Sequence, residues 1–256
     1  MDAGDRARLH GQHLRSFPGE CCKILKANGL VFGSNNKRIL LSSDIMNNQF
    51  PVTSQLIHLN HAAVGPWPKV TADAVTAFAE ENLRFGSVNY LHWMAVEKKL
   101  RQNIAALINA SSVDEIALVK NTSEGLSFVA YGLPWKTGDN VVGILQEFPS
   151  NRFVWDSLVS KGVEFRKLDI EGKADPEQAL FELCDAKTRL IAISAVQYYN
   201  GLRMDLARIG KFCRSKGILF CVDAIQQVGA LPFDVQAIGA DFAVADGHKW
   251  MLAAEG

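Results

Sequence analysis

From residue 115 onward the chain repeats one pattern: a short apolar run, a stretch of helical character, then another apolar run. The runs fall at 115–119, 140–145, 163–168, 190–194, 218–222 and 241–245. Several of them lack the polar alternation of a half-exposed strand, as a sheet covered on both faces requires. Strands and helices in alternation specify an α/β fold built on a mostly parallel, doubly wound sheet. Such a sheet binds ligands outside the carboxyl ends of its strands. The residues that close each apolar run therefore carry the functional signal.

The intervening stretches support this reading. Residues 68–85 and 90–109 read as helices, and in the second Trp93, Val96, Leu100, Ile104 and Leu107 recur at three- and four-residue steps. Further helices are expected at 176–184 and 206–215, the latter stopped by Gly217. Regular patterning starts near Ile57. Residues 1–50 read as an N-terminal extension, either disordered or an over-long start with Met46 as the initiator, and 51–256 as one large domain. At 256 residues and 48% apolar content the chain can bury one large core or two small ones.

Composition removes several functions. A formal charge of zero gives no field that favours nucleic acid or an anionic membrane. No apolar run approaches the roughly 18 residues that cross a bilayer, and no secretory h-region follows Arg6, Arg8 and Arg15. Five cysteines without a C-x-x-C pair read as the reduced thiols of a cytoplasmic protein. Cys221, inside an apolar run, reads as core. The chain has no G-x-G-x-x-G, no P-loop, no G-x-S-x-G and no H-E-x-x-H. His58 and His61 are spaced for a metal on a helix, but their LNHAAVGPWP context is that of a loop.

Two ionisable residues follow apolar runs near the end of the chain. Asp223 closes ILFCVD, and Lys249 follows FAVADGH. A lysine in such a frame is desolvated, which lowers its pKa and exposes a nucleophilic amine suited to a Schiff base. A carboxylate presented beside it suits a protonated ring nitrogen. Together they match pyridoxal phosphate, which carries a pyridine nitrogen and an aldehyde. The run KNTSEGLS opens a helix after the strand at 115–119, so the backbone N–H groups and hydroxyls of Thr122 and Ser123 suit a phosphate. Phe148 follows a strand end where its ring could stack on a cofactor. Gln226 lies one turn past Asp223, within reach of a ring hydroxyl, and His248 is placed to reach the phosphate.

Taken together, LNHAAVGPWP, NTSEGLS, QEFPSN, SAVQYYNGLRMDL, VDAIQQVGALPFDV and DGHKW resemble, in order, the motifs of the class V aminotransferase family. That family has the aspartate-aminotransferase-like fold of pyridoxal-phosphate enzymes and includes cysteine desulfurases, selenocysteine lyases and isopenicillin N epimerase-like enzymes. The resemblance implies Lys249 as the Schiff-base lysine, Asp223 as the ring-nitrogen partner and Gln226 near the ring hydroxyl. It implies Thr122, Ser123 and His248 at the phosphate, Phe148 stacked on the ring, and Ala62, Ala63 and Tyr198 near an amino-acid substrate. A homodimer is the implied assembly.

Two residues depart from the desulfurase pattern. Phe148 stands where desulfurases stack a histidine that also moves protons. Asp246 stands where many members have a phosphate-binding serine. Both favour the isopenicillin N epimerase-like branch, with a cysteine desulfurase or selenocysteine lyase as the alternative and an inactive fragment or scaffold as the reading of another class. The family pattern continues past Gly256 with another strand and a small C-terminal domain. Residues 1–256 are thus expected to be a C-terminally truncated large domain that is poorly soluble or inactive by itself.

Overall fold

The computed structural model describes residues 47–255, and a compact unit begins at Gln49. The expectations for residues 1–46 of the N-terminal extension, with Met46 as initiator, lie outside the described residues. Two helices come first, α1 (Lys69–Phe85) and α2 (Tyr90–Ile108). Pro68 precedes α1, and Asn109 ends α2 in the left-handed conformation (φ 54°), a common helix stop. Helix α3 (Thr122–Gly132) leads into the alternating region. There β1 (Asn140–Ile144), α4 (Ser150–Asp156), β2 (Glu164–Leu168), α5 (Pro176–Glu182), β3 (Thr188–Ser194), α6 (Leu206–Lys216), β4 (Leu219–Asp223) and β5 (Phe242–Val244) follow in turn.

The five strands form one parallel sheet in the order β2-β1-β3-β4-β5. The chain moves outward from β1 to β2, then returns to the far side of β1 to lay down β3. This reversal places a topological switch point between β1 and β3, where neighbouring connections leave on opposite faces and open a crevice.

Alternation along each strand divides the core in two. Val142, Ile144, Ile191, Ile193, Phe220 and Val222 point to the layer that holds Leu180, Leu206 and Ile209 of α5 and α6. Val141, Leu190, Ala192 and Cys221 point to the opposite layer, against Leu126 and Val129 of α3 and Trp155 of α4. Burying each large aliphatic or aromatic side chain contributes about 1.5–3 kcal/mol. The doubly wound sheet expected from the unalternating runs is the one observed. The two edge strands, β2 with its Glu-Phe-Arg-Lys-Leu sequence and the short β5, are the partly exposed exceptions.

Two local expectations need correction. Residues 115–119 do not form a strand: Val113–Glu115 is a 3-10 turn, and 116–119 pair with no strand among the described residues. An apolar run becomes a strand only where a neighbour accepts its ladder of hydrogen bonds. Helix α4 was not expected. Its seven residues are too few for a periodic signal, and the buried Trp155 holds it, with its indole N–H donating to Asn151 Oδ1 at 2.8 Å. On α1, α2 and the segment between them, Leu83, Val88 and Leu91 are each more than four-fifths exposed. Among the described residues no helix is long and apolar enough to cross a membrane.

Candidate active site

A cavity of about 520 Å³ opens at the carboxyl edge of the sheet. Asp223 reaches it as the last residue of β4, in register with Ser194 of β3 and Val244 of β5. Lys249 enters from the loop after β5. That loop is held from outside by the segment 60–65, where Gly65 N–H donates to His248 O at 2.8 Å. All ten residues singled out in the sequence line this one cavity: Ala62, Ala63, Thr122, Ser123, Phe148, Tyr198, Asp223, Gln226, His248 and Lys249.

Charge in the cavity is set by burial. Asp223 is 3% exposed, and its Oδ1 accepts from Ile225 N–H at 3.1 Å. Burial pushes its pKa up to about 7; the Glu147 charge adds to the rise, while the Ile225 hydrogen bond and Lys249 oppose it. Lys249 is 9% exposed. Loss of water lowers the pKa of its amine, against the pull of Asp223 and Asp246. Desolvation of this kind favours the neutral amine, the form that can act as a nucleophile or a base. Its Nζ lies 5.7 Å from the centre of the Phe148 ring, and that ring meets Tyr198 edge-on at 5.2 Å.

The far end of the cavity is an anion cradle. Asn121 caps α3, its Oδ1 accepting from Glu124 N–H at 3.0 Å, so the N–H groups of Thr122 and Ser123 stay available at the positive end of the helix. Thr122 Oγ1 is buried and has no hydrogen-bond partner among the described residues. Ser123 donates its hydroxyl to Ser150 Oγ at 2.8 Å. Asp246 lines the same wall, and its Oδ1 lies 3.1 Å from His248 Nδ1, an ion contact without hydrogen-bond alignment. The carboxylate faces the imidazole at the wall of the cavity.

Gln226 is more committed than its sequence position implies. Its Nε2 donates to Ala62 O at 2.9 Å, and its Oε1 accepts from the Trp250 indole N–H at 2.8 Å. One amide hydrogen remains for a ligand; the rest of the side chain ties the Ala62 segment to the lysine loop. His61 stacks on Trp250 at 5.3 Å, and His58 meets His61 edge-on, so both histidines serve packing around this loop. Cys184, Cys213 and Cys221 do not line the cavity. Burial pushes the thiols of Cys184 and Cys213 up to about 11 and about 12.

Sequence reasoning passed over Ser194, Asn60 and Ile225, which also line the cavity, and Glu147 behind it. Glu147 had the same signal that selected Asp223, an ionisable residue just past an apolar run. Gly65 was likewise unmarked. A Cβ there would lie 2.2 Å from Lys249 O, a backbone atom that cannot rotate away. Gly65→Ala is therefore expected to destabilise the protein by about 1–3 kcal/mol, measured as a lower Tm. An unchanged Tm would show that the lysine loop gives way freely.

A parallel sheet that gathers a desolvated amine, a buried carboxyl and a helix N-terminus at its switch point defines an α/β protein of the pyridoxal-phosphate enzyme type. The sequence pattern of the aminotransferase class-V family matches residues 57–256, and the chain belongs to that family. A relative named "Probable cysteine desulfurase" from Methanothermobacter thermautotrophicus is 36% identical over 224 residues, 85% of this chain and 56% of the relative. Among solved structures, a C-DES mutant with glycine covalently linked to its PLP cofactor superposes with a TM-score of 0.77 at 25% identity, over 82% of this chain and 57% of that one. The cystine C–S lyase C-DES in complex with its product cysteine persulfide gives a TM-score of 0.76 at 26% identity, over 81% and 57%. The chain thus spans a little over half the length of the relatives it matches.

Proposed function

We propose that the whole protein is a pyridoxal-phosphate enzyme that breaks the carbon–sulfur bond of a sulfur-containing α-amino acid, as a cysteine desulfurase or a C–S lyase does. The observation that carries this reading is the convergence of the ten expected residues on one cavity, with Lys249 and Asp223 both buried in it. The relatives named for cysteine or cystine chemistry favour sulfur substrates over the epimerase-like branch.

The residues fit the cofactor. Thr122 Oγ1, buried and without a partner among the described residues, and the N–H groups of Thr122 and Ser123 at the helix start would hold the phosphate together with His248. Asp223 would face the ring nitrogen, Phe148 would cover the ring, and Gln226 has one amide hydrogen left for the ring hydroxyl. Lys249 would hold the aldehyde. When bound, the cofactor supplies an electron sink for charge developing at the substrate α-carbon. The chain's own part is to move protons and exclude water. Lys249 Nζ takes and returns the proton at the α-carbon, and the loss of water that lowers its pKa favours the free amine over the ammonium. Phe148 cannot share that task. Ala62 and Ala63 leave room at the mouth, beside Tyr198. None of Cys184, Cys213 and Cys221 is placed to receive sulfur.

Phe148 also supports a second reading, an epimerase-like enzyme in which a single base acts at the α-carbon. Both readings expect the protein to turn yellow with pyridoxal phosphate and to fix the cofactor on Lys249 after borohydride reduction, located by peptide mass. A protein that stays colourless overturns both. Products separate them: sulfide or persulfide from L-cysteine or L-cystine supports the first, and an amino acid inverted at its α-carbon with sulfur retained supports the second.

A further inference from the structure

Glu147 is the ionisable side chain that the site above leaves unused. It lies three residues past β1, is 1% exposed and does not line the cavity. Its Oε1 accepts from Ser194 N–H at 2.6 Å and from Gln197 Nε2 at 2.9 Å, and its Oε2 accepts from the Ser194 hydroxyl. All these donors sit at or just past the end of β3, the strand across the switch point. Ser194 is in turn the register partner of Asp223, and Ala195 N–H donates to Asp223 O at 2.9 Å. One side chain thus links the ends of β1, β3 and β4.

The donor set explains why the residue is a glutamate. Three hydrogens converge on two oxygens that need offer none in return. A carboxylate meets all three; a glutamine would turn its NH₂ either toward the Ser194 hydroxyl or toward two N–H donors. An apolar residue would leave buried donors unpaired. We propose that Glu147 is a positioning residue for the cavity, fixing from behind Ser194 the rim on which Asp223 and Tyr198 sit.

The electrostatics agree with the geometry. Burial raises the pKa of Glu147 despite its hydrogen bonds to Ser194 and Gln197 and the opposing pull of the Asn151 side chain on α4. Its charge is felt at Asp223, where it favours the protonated form. The other groups that face Asp223 are Lys249, which opposes this, and Asp246 and His248 in the same loop, with Cys221 on the same strand. Glu147 therefore acts on Asp223 both through the strand ends and through its charge. The cofactor-binding part of the inference rests on the function proposed above; the coupling to Asp223 does not.

The test compares wild type, Glu147→Gln, Asp223→Asn and the double variant in the whole protein. Thermal stability is measured against pH without pyridoxal phosphate, and cofactor affinity and visible absorbance are measured with it. Glu147→Gln is expected to fold, to move the Asp223-dependent loss of stability to lower pH, and to add no further pH change once Asp223 is Asn. Cofactor affinity is expected to fall about tenfold, the scale on which outer partners of a site act. A lower Tm with unchanged pH midpoint, affinity and spectrum would make the role merely structural and overturn the proposal. Should Glu147→Gln fail to fold, Glu147→Asp keeps the charge on a shorter reach; weakened affinity with the wild-type pH midpoint supports the proposal, and wild-type affinity overturns it. Should wild type bind no pyridoxal phosphate, the functional reading fails, and the pH series still decides whether Glu147 and Asp223 are coupled.

Discussion

Lys249→Ala is expected to give a folded protein that borohydride no longer joins to pyridoxal phosphate and whose turnover falls by a factor of about 100 to 10,000 or more, the range for losing a positioned general base. Two arguments separate this loss from misfolding. The lysine's amine makes no hydrogen bond or close ion pair among the described residues, so its removal leaves no hydrogen-bond partner behind. Its pKa is lowered in the folded protein, so the folded state binds fewer protons than the unfolded chain below the ordinary lysine pKa. Stability then rises with pH between the lowered value and about 10.5, and below that window burying this lysine is a net cost. Removing it should leave Tm at pH 7 unchanged or higher, as calorimetry would show. A variant that still incorporates the cofactor covalently, or that loses activity only because its Tm collapses, would take the catalytic role from Lys249.

The ease with which this site can be read from sequence has a physical basis. Parallel strands buried on both faces have to be unbroken apolar runs, so an ionisable residue at the end of one stands out, and Asp223 and Lys249 were legible for that reason. Position along the chain also fixes which edge of a parallel sheet each run ends on, so residues past the runs share one cavity, whereas Ala62, Ala63 and Tyr198 were legible only through the family resemblance. Contacts between side chains and distant backbone were not legible. Nothing local marks Gly65 as the glycine pressed against Lys249 O, or Gln226 as bound at both ends to Ala62 and Trp250. The expected strand at 115–119 failed for the same reason, since a strand depends on a neighbour that its own residues do not encode. Asp246 shows the converse. It stands where many family members have a phosphate-binding serine, and only the 3.1 Å contact with His248 shows what its carboxylate faces.

Asp223→Asn should reverse the usual relation between stability and function. In the folded protein the Asp223 carboxyl titrates near 7 instead of 3.8, chiefly because it is buried. Between those values the folded state binds more protons than the unfolded chain. Stability is therefore full below about pH 4 and lost as pH rises through about 7. At about 1.4 kcal/mol for each tenfold change, the ceiling on that loss is about 4 kcal/mol. An isosteric amide carries no such penalty, so the cofactor-free variant should match wild type at pH 4 and melt several degrees higher at pH 8. With pyridoxal phosphate bound the order should invert. A protonated ring nitrogen gives the wild-type carboxylate the partner its burial denies it, whereas an amide cannot hold that proton, and turnover should fall by about 100-fold or more. Tm measured at pH 4 and pH 8, with and without cofactor, tests each part. Equal Tm values for the two proteins at pH 8 without cofactor would mean that Asp223 is solvated as an ordinary carboxylate, and its assignment to the ring nitrogen would lose its physical ground.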